Sequence, residues 1–247
     1  MKAVILAAGQ GTRIRSVHGE RPKCLIEVDE GTVLDHQLDA LVQAGVRDVA
    51  IVVGYEKEQI TEHLAKRHSR QPIHVIENPE FAITNNIFSL WLTLDWLRGD
   101  DFICMNADVI FDPEILSNAI RPPAPISMIV DPLWRDETMK VIIRDDRVLR
   151  MSKGISREAF SGTYIGITVF RECMYERFAS KMTELINAGR INEFFNAAVQ
   201  ELVDESIPVG YTSTEGMPWA EIDDPLDLSF AQQTIFPQLA ARALDHG

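Results

Sequence analysis

The chain opens with an apolar run, residues 2–8, that stops abruptly at Gly9-Gln10-Gly11-Thr12-Arg13. A run this short, built around Val4, Ile5 and Leu6, suits a strand buried on both faces, so a strand feeds directly into a glycine loop. Glycines one residue apart let the backbone turn tightly and approach a ligand, with successive N–H groups aimed at phosphate oxygens. Arg13 adds a planar donor fork and Lys23 a compact charge beside that loop, a pair suited to holding a polyphosphate. A dinucleotide fingerprint would need a third glycine where Ile14 stands, and a P-loop would close on Gly-Lys-Ser/Thr, which is absent.

Beyond the loop, helix and strand alternate. Residues 33–44 carry Leu34, Leu38, Leu41 and Val42 at helical spacing, with Gly45 as a C-terminal cap. Residues 48–53 read as a strand, 56–67 as a helix with Ile60 and Leu64 inward, 73–76 as a strand, 85–97 as a helix and 101–106 as a strand. Asp112-Pro113 reads as an N-cap with Pro at the first helical position, opening a helix to Ile120. This alternation predicts right-handed βαβ units on a parallel sheet, with ligands beyond the carboxyl ends of the strands, where residues 9–13 and Asp108 fall. From Ile126 the pattern changes to consecutive strands, 126–130, 139–143, 148–151 and 163–170, with Asp145-Asp146 as a hairpin turn. Helices over 171–187 and 192–205, a strand over 208–214 and a last helix opened by Asp224-Pro225 and interrupted by Pro237 complete the chain. The expected fold is α/β: an open, mostly parallel Rossmann-like sheet flanked by helices, with some antiparallel strands, in one domain over residues 1–247.

The chain's 247 residues, 46% hydrophobic and 25% charged, are those of a globular protein. A net charge of −13 argues against nucleic acid as a partner, because phosphate backbones are held by clustered Lys and Arg. No apolar run approaches the roughly 18 residues that span a membrane, and no leader pattern precedes the first strand, so the expectation is a cytoplasmic protein. Cys24, Cys104 and Cys173 lack metal-ligand spacing and read as reduced, buried thiols.

The string Leu6-Ala7-Ala8-Gly9-x-Gly11-Thr12-Arg13, with Pro22-Lys23-x-Leu25 after it, resembles the N-terminal signature of the nucleotidyltransferases that make sugar nucleotides and CDP-alcohols. The segment Glu77-Asn78-Pro79-Glu80-Phe81-Ala82-Ile83-Thr84-Asn85-Asn86-Ile87-Phe88-Ser89 is similar to the Asn-Pro-x-Tyr-x-x-x-Asn-Asn-Ile-x-Ser pattern of the choline-phosphate cytidylyltransferase-like bacterial group, with Phe81 in place of Tyr. The resemblance implies a nucleotide half over residues 1–120 and an acceptor half over 121–247. It assigns Lys23 to the α-phosphate, Arg13 to the departing pyrophosphate, and Asp108, at the end of Asn106-Ala107-Asp108, to a Mg²⁺ ion. Trp219-Ala220-Glu221-Ile222-Asp223-Asp224-Pro225 resembles the segment that brings a second metal ligand at Asp223; on a short strand Glu221 faces the same side, so either carboxylate can coordinate. Mg²⁺ suits such a set because it takes one or two carboxylates and completes its shell with phosphates and water.

Thr84, Asn85, Asn86, Ser89 and Asn106 are the candidates for reading base or ribose, although Thr84 or Asn85 equally serves as an N-cap. For the acceptor, Lys140 and Lys153 resemble lysines near its phosphate, and Asp131, Trp134, Tyr164, Glu193, Trp219 and Glu221 are candidates for lining a pocket around a cationic head group. The expected activity is Mg²⁺-dependent transfer of CMP from CTP to a small phosphorylated alcohol, phosphocholine-like. The alternatives are a hexose-1-phosphate nucleotidyltransferase using UTP, GTP or dTTP, and a non-catalytic nucleotide sensor on the same fold. Oligomeric state has no signature in the sequence.

Overall fold

A computed structural model describes residues 1–29, 31–121 and 124–245. The opening run forms the strand Lys2–Ala7, and its two-residue period explains why it is apolar throughout. Ala3, Ile5 and Ala7 pack with Leu34, Leu38 and Leu41 of the helix Val33–Gln43 on one face of the sheet. Val4 and Leu6 pack with Ile87, Leu90 and Leu94 on the other. Helices therefore cover both faces, and a polar residue at any of these strand positions would be buried.

Lys2–Ala7 pairs in parallel with Asp48–Val53 on one side and Phe102–Asn106 on the other, and Ile73–Glu77 continues the parallel set beyond Asp48–Val53. The chain thus turns outward in opposite directions on either side of the first strand, which opens a crevice at the strand ends. Register fixes what lines it: Ala7 lies opposite Val53 and Leu6 opposite Asn106, so the glycine loop and the Asp108 loop leave the sheet at one level. The long, buried strand Gly162–Phe170 runs antiparallel to Phe102–Asn106 and, along its other edge, to Ile126–Asp131, and Gly210–Ser213 extends the sheet beyond that. The hairpin Lys140–Arg144 and Arg147–Ser152 joins the sheet through Val141 and Lys140. Its turn residues Asp145 and Asp146 have φ of 49° and 58°, the positive pair that a two-residue hairpin turn with the twist of the strands demands. The fold is the expected mixed α/β sheet. Among the described residues no helix is long and apolar enough to cross a membrane.

Caps formed where residue types placed them. Thr32 and Asp35 make a reciprocal capping box, Asp112 accepts from Glu114 N ahead of Pro113–Ile120, and Asp224 caps Pro225–Phe230. Five expectations need correction. The helix expected over 85–97 is two, Asn86–Trp91 and Leu94–Leu97, parted where the buried Thr93 hydroxyl donates to Leu90 O at 2.7 Å. The helix expected from Asn192 starts at Asn196. Val42 is 45% exposed rather than packed inward, and Cys173 is exposed while Cys24 and Cys104 are buried. The interruption expected at Pro237 comes earlier, as a wide π-helical turn over Ala231–Ile235, and Phe236–Asp245 then runs through the proline. Such a turn shifts the preceding carbonyls out of register, which removes the clash a proline ring makes with the carbonyl four residues back.

Candidate active site

The glycine loop and three acidic residues converge on a cleft of about 340 Å³ at the carboxyl ends of the parallel strands. Gly11 has φ +56°, and a Cβ there would lie 2.8 Å from Lys23 Cγ, so only glycine lets the loop close over the lysine. Lys23 stands at the start of the tight turn Lys23–Leu25. Its ammonium bonds Asp223 and lies 3.4 Å from Asp108 Oδ2, while Arg13 Nη2 donates to Asp223 Oδ2 at 2.7 Å. Residues 85 and 200 positions from Lys23 thus meet at one point.

Backbone pairing brings the carboxylates together. Val109–Phe111 and Trp219–Glu221 form a small antiparallel ladder with Glu221 opposite Val109, and Ile222 N donates to Asp108 O at 2.8 Å. Asp108, Glu221 and Asp223 each present one oxygen within 4.8 Å of the others. Burial pushes the Glu221 carboxyl up to about 8; Asp108 and Asp223 add to the rise, while Lys23 and Lys153 oppose it. Asp108 is raised in the same way, by burial first and by Asp223, against Lys23. For Asp223 burial acts upward too, but Lys23 and Arg13 outweigh it and hold the carboxyl below its ordinary range. Lys23 is pulled downward by burial and raised overall by Asp108 and Asp223. Asp108 Oδ1 is buried without a hydrogen-bond partner. An unpartnered carboxylate oxygen beside two further carboxylates is the donor set a hard divalent cation takes, so the residues fit Mg²⁺.

Gln37, fully buried on Val33–Gln43, braces this loop. Its Nε2 donates to Asn106 O and Val109 O, each at 2.8 Å, so it clamps the backbone on both sides of Asp108. Both neighbours are acceptors, which sets the orientation of the amide. Sequence reasoning passed over Gln37; the available signal was a polar residue amid the inward stripe Leu34, Leu38 and Leu41.

The 77–89 segment forms one wall. Asn78, 1% exposed, accepts from Glu80 N and donates to Thr84 Oγ1 and Ser89 Oγ at 3.1 and 3.0 Å. Asn85 is an N-cap, accepting from Asn86 N. Asn86 Oδ1 accepts from Phe195 N at 2.8 Å, and its Nδ2 reaches Asn106 Oδ1 at 3.4 Å. These side chains line the cleft and hold its wall together. Leu6, Ala7, Ala8, Gly9, Asn106, Lys153, Tyr164 and Glu221 also line it; Thr12 instead opens the turn Thr12–Ile14 behind the loop.

The expected aromatic cage does not assemble. Trp219, 1% exposed, donates to Asp131 Oδ2 at 2.8 Å, and that buried carboxylate also accepts from Thr214 and Leu133 N, so both residues belong to the core. Trp134 already has two cations against its ring, Lys140 Nζ and the Arg157 guanidinium, 4.6 and 4.7 Å from its centroid. Lys140 is itself buried and donates to Thr138 O and Lys153 O. Glu193 is held in a two-point pair with Arg190, and the Tyr164 hydroxyl is bonded to Thr168. Tyr164 still lines the cleft, and beside it stand Glu137, Thr138, Met139, Phe194 and Asn196.

The chain is similar to known proteins. The MobA-like NTP transferase domain family is matched over residues 3–152. The chain is 29% identical over 236 residues to the CMP-5'-(3-aminopropyl)phosphonate synthase of Streptomyces rubellomurinus, across 92% of this chain and 37% of that protein. It is 26% identical over 255 residues to the CTP:phosphoglutamine cytidylyltransferase of Campylobacter jejuni, across 92% of this chain and 98% of that one. The solved CTP:phosphocholine cytidylyltransferase of Streptococcus pneumoniae superposes with a TM-score of 0.75 at 22% identity, over 94% of this chain and 97% of that one, a likeness of fold.

Proposed function

The chain belongs to the MobA-like NTP transferase domain family and is a nucleotidyltransferase, and on that premise we propose that it transfers CMP from CTP to a small phosphorylated or phosphonylated acceptor of the phosphocholine kind. The observation that carries this reading is the meeting of Lys23, Asp108, Glu221 and Asp223 beside the glycine loop. The choice of cytosine and of an acceptor bearing phosphorus is supported by the activities named for the Streptomyces and Campylobacter relatives.

An acceptor phosphate is largely dianionic near neutrality, its second pKa being about 6, so its oxygen attacks the α-phosphorus without a catalytic base. The new P–O bond forms as the bond to the bridging oxygen of pyrophosphate breaks, and that oxygen leaves with the electron pair. Lys23 places its charge on the α-phosphate, where negative charge accumulates, and Arg13 at the rim holds the leaving pyrophosphate. The N–H groups after Ala8 cradle the phosphates, and Lys153 meets the acceptor phosphate. Asp108 and Asp223, with Glu221 beside them, would hold Mg²⁺, which when bound neutralises phosphate charge. Burial of the carboxylates keeps water from screening that charge.

Pyrophosphate release over a grid of four NTPs against phosphocholine, 2-aminoethylphosphonate, phosphorylated glutamine, inositol 1-phosphate and glucose 1-phosphate tests the proposal. Turnover confined to CTP with a non-hexose acceptor is the expected result. A higher kcat/KM for glucose 1-phosphate with UTP, GTP or dTTP would move the chain to the hexose enzymes.

A further inference from the structure

Outside the cleft, Asp35, His63 and His68 bring a carboxylate and two imidazoles to one point. His63 Nε2 lies 2.8 Å and His68 Nε2 2.6 Å from the same oxygen, Asp35 Oδ1. Asp35 belongs to the first turn of Val33–Gln43, His63 to Lys57–Arg67, and His68 is the residue that closes the latter helix. The second oxygen, Oδ2, is engaged elsewhere: it accepts from Thr32 N at 2.8 Å in the capping box and lies 3.6 Å from Arg67 Nε. The carboxylate is thereby locked with Oδ1 turned to both rings, as a ligating carboxylate is oriented by hydrogen bonds behind it. Thr32 Oγ1 sits 3.4 Å from His63 Nε2, a further oxygen at the same spot. Asp35 is 7% exposed at its side chain and the two histidines 17% and 13%, so the point is shielded yet within reach of an ion.

We propose that Asp35, His63 and His68 form a zinc site that clamps the helix Val33–Gln43 to the helix Lys57–Arg67. Two imidazole nitrogens and one carboxylate oxygen are a set that Zn²⁺ takes, whereas Mg²⁺ prefers oxygen alone, so the two clusters found among the described residues are matched to different ions. Each imidazole would bind through Nε2 as its Nδ1–H tautomer, the proton it shares with Oδ1 passing to solvent while Nδ1 takes one up; the ligand atoms would spread slightly to bond lengths of about 2.0–2.2 Å, with water in the remaining positions. The clamp holds the helix that carries Gln37, and it stands independently of the reaction assigned to the cleft.

The test uses the whole chain after dialysis against a chelator, with Co²⁺ as a visible probe and Zn²⁺ as competitor. The expected result is a set of d–d bands that Zn²⁺ displaces, that His63→Gln and His68→Gln abolish, and that Asp108→Asn leaves intact. In the wild-type protein, where folding is not in question, Zn²⁺ should also protect both histidines from acylation by diethylpyrocarbonate. Absence of the bands, their survival in both histidine variants, their loss in Asp108→Asn alone, or acylation of both histidines at saturating Zn²⁺ would each overturn the proposal.

Discussion

Replacing Gln37 by Met isolates the contribution of a residue that touches no substrate. The side chain is nearly isosteric, but it removes both hydrogen bonds to the carbonyls of Asn106 and Val109. A buried carbonyl left dry costs about 1–3 kcal/mol, so the two together cost about 2–6 kcal/mol. Against this, Gln37 Oε1 is itself buried without a partner, and removing it recovers about 1–3 kcal/mol. The net loss is about 1–3 kcal/mol, which in a chain of this size lowers Tm by about 2–12 °C. The functional consequence is separable from the stability: with the clamp gone the Asp108 carboxylate shifts, and a misplacement near 1 Å costs about 10²-fold in rate. Calorimetry gives the first number; single-turnover CMP transfer well below Tm gives the second, with KM for CTP expected to change little. A variant that melts early but turns over at the wild-type rate would refute the positioning role, and one unchanged in both would refute the clamp.

Gly11→Ala should cut kcat with the fold intact, because the residue would adopt a left-handed conformation costing about 1–2 kcal/mol and push its Cβ into Lys23; wild-type single-turnover rates would contradict this. Of the three thiols only Cys173 should react with a disulfide reagent under native conditions, since burial pushes Cys24 up to about 12 and raises Cys104 as well; a second fast-reacting thiol would contradict the packing. Glu221 folds with its carboxyl at about 8 against an ordinary 4.5, so between those values the folded state binds the extra proton and the metal-free protein loses stability as pH rises. Added Mg²⁺ should reverse that loss, and thermal melts from pH 5 to 8.5 with and without Mg²⁺ read both signs.

How much of the molecule is legible in its sequence varies with the kind of information each residue carries. The first strand and its loop are legible because burial on both faces demands an apolar run and a positive φ beside a lysine demands Gly11. Asp108 and Asp223 are reached through family resemblance; that Val109–Phe111 pairs with Trp219–Glu221 to bring them together is a long-range fact that no local pattern encodes. Asp131 and Trp219 show the same limit from the other side. Both have the chemistry of a cation-binding pocket, yet they satisfy each other in the core across 88 positions, and residue type alone does not distinguish a buried pair from a lining one. Asn86 is legible as a motif residue, but its bond to Phe195 N, which ties the cleft wall to a distant stretch of the chain, requires the fold.

Transfer of label from α-labelled CTP decides whether the cleft is a cytidylyltransferase site. Wild-type protein with Mg²⁺ and a phosphorylated acceptor should convert the label to a CDP-conjugate with equimolar pyrophosphate, and Asp108→Asn, folded by circular dichroism, should convert none. A labelled product formed by Asp108→Asn at the wild-type rate, or no labelled product from the wild-type protein with any acceptor of the grid, would contradict the assignment.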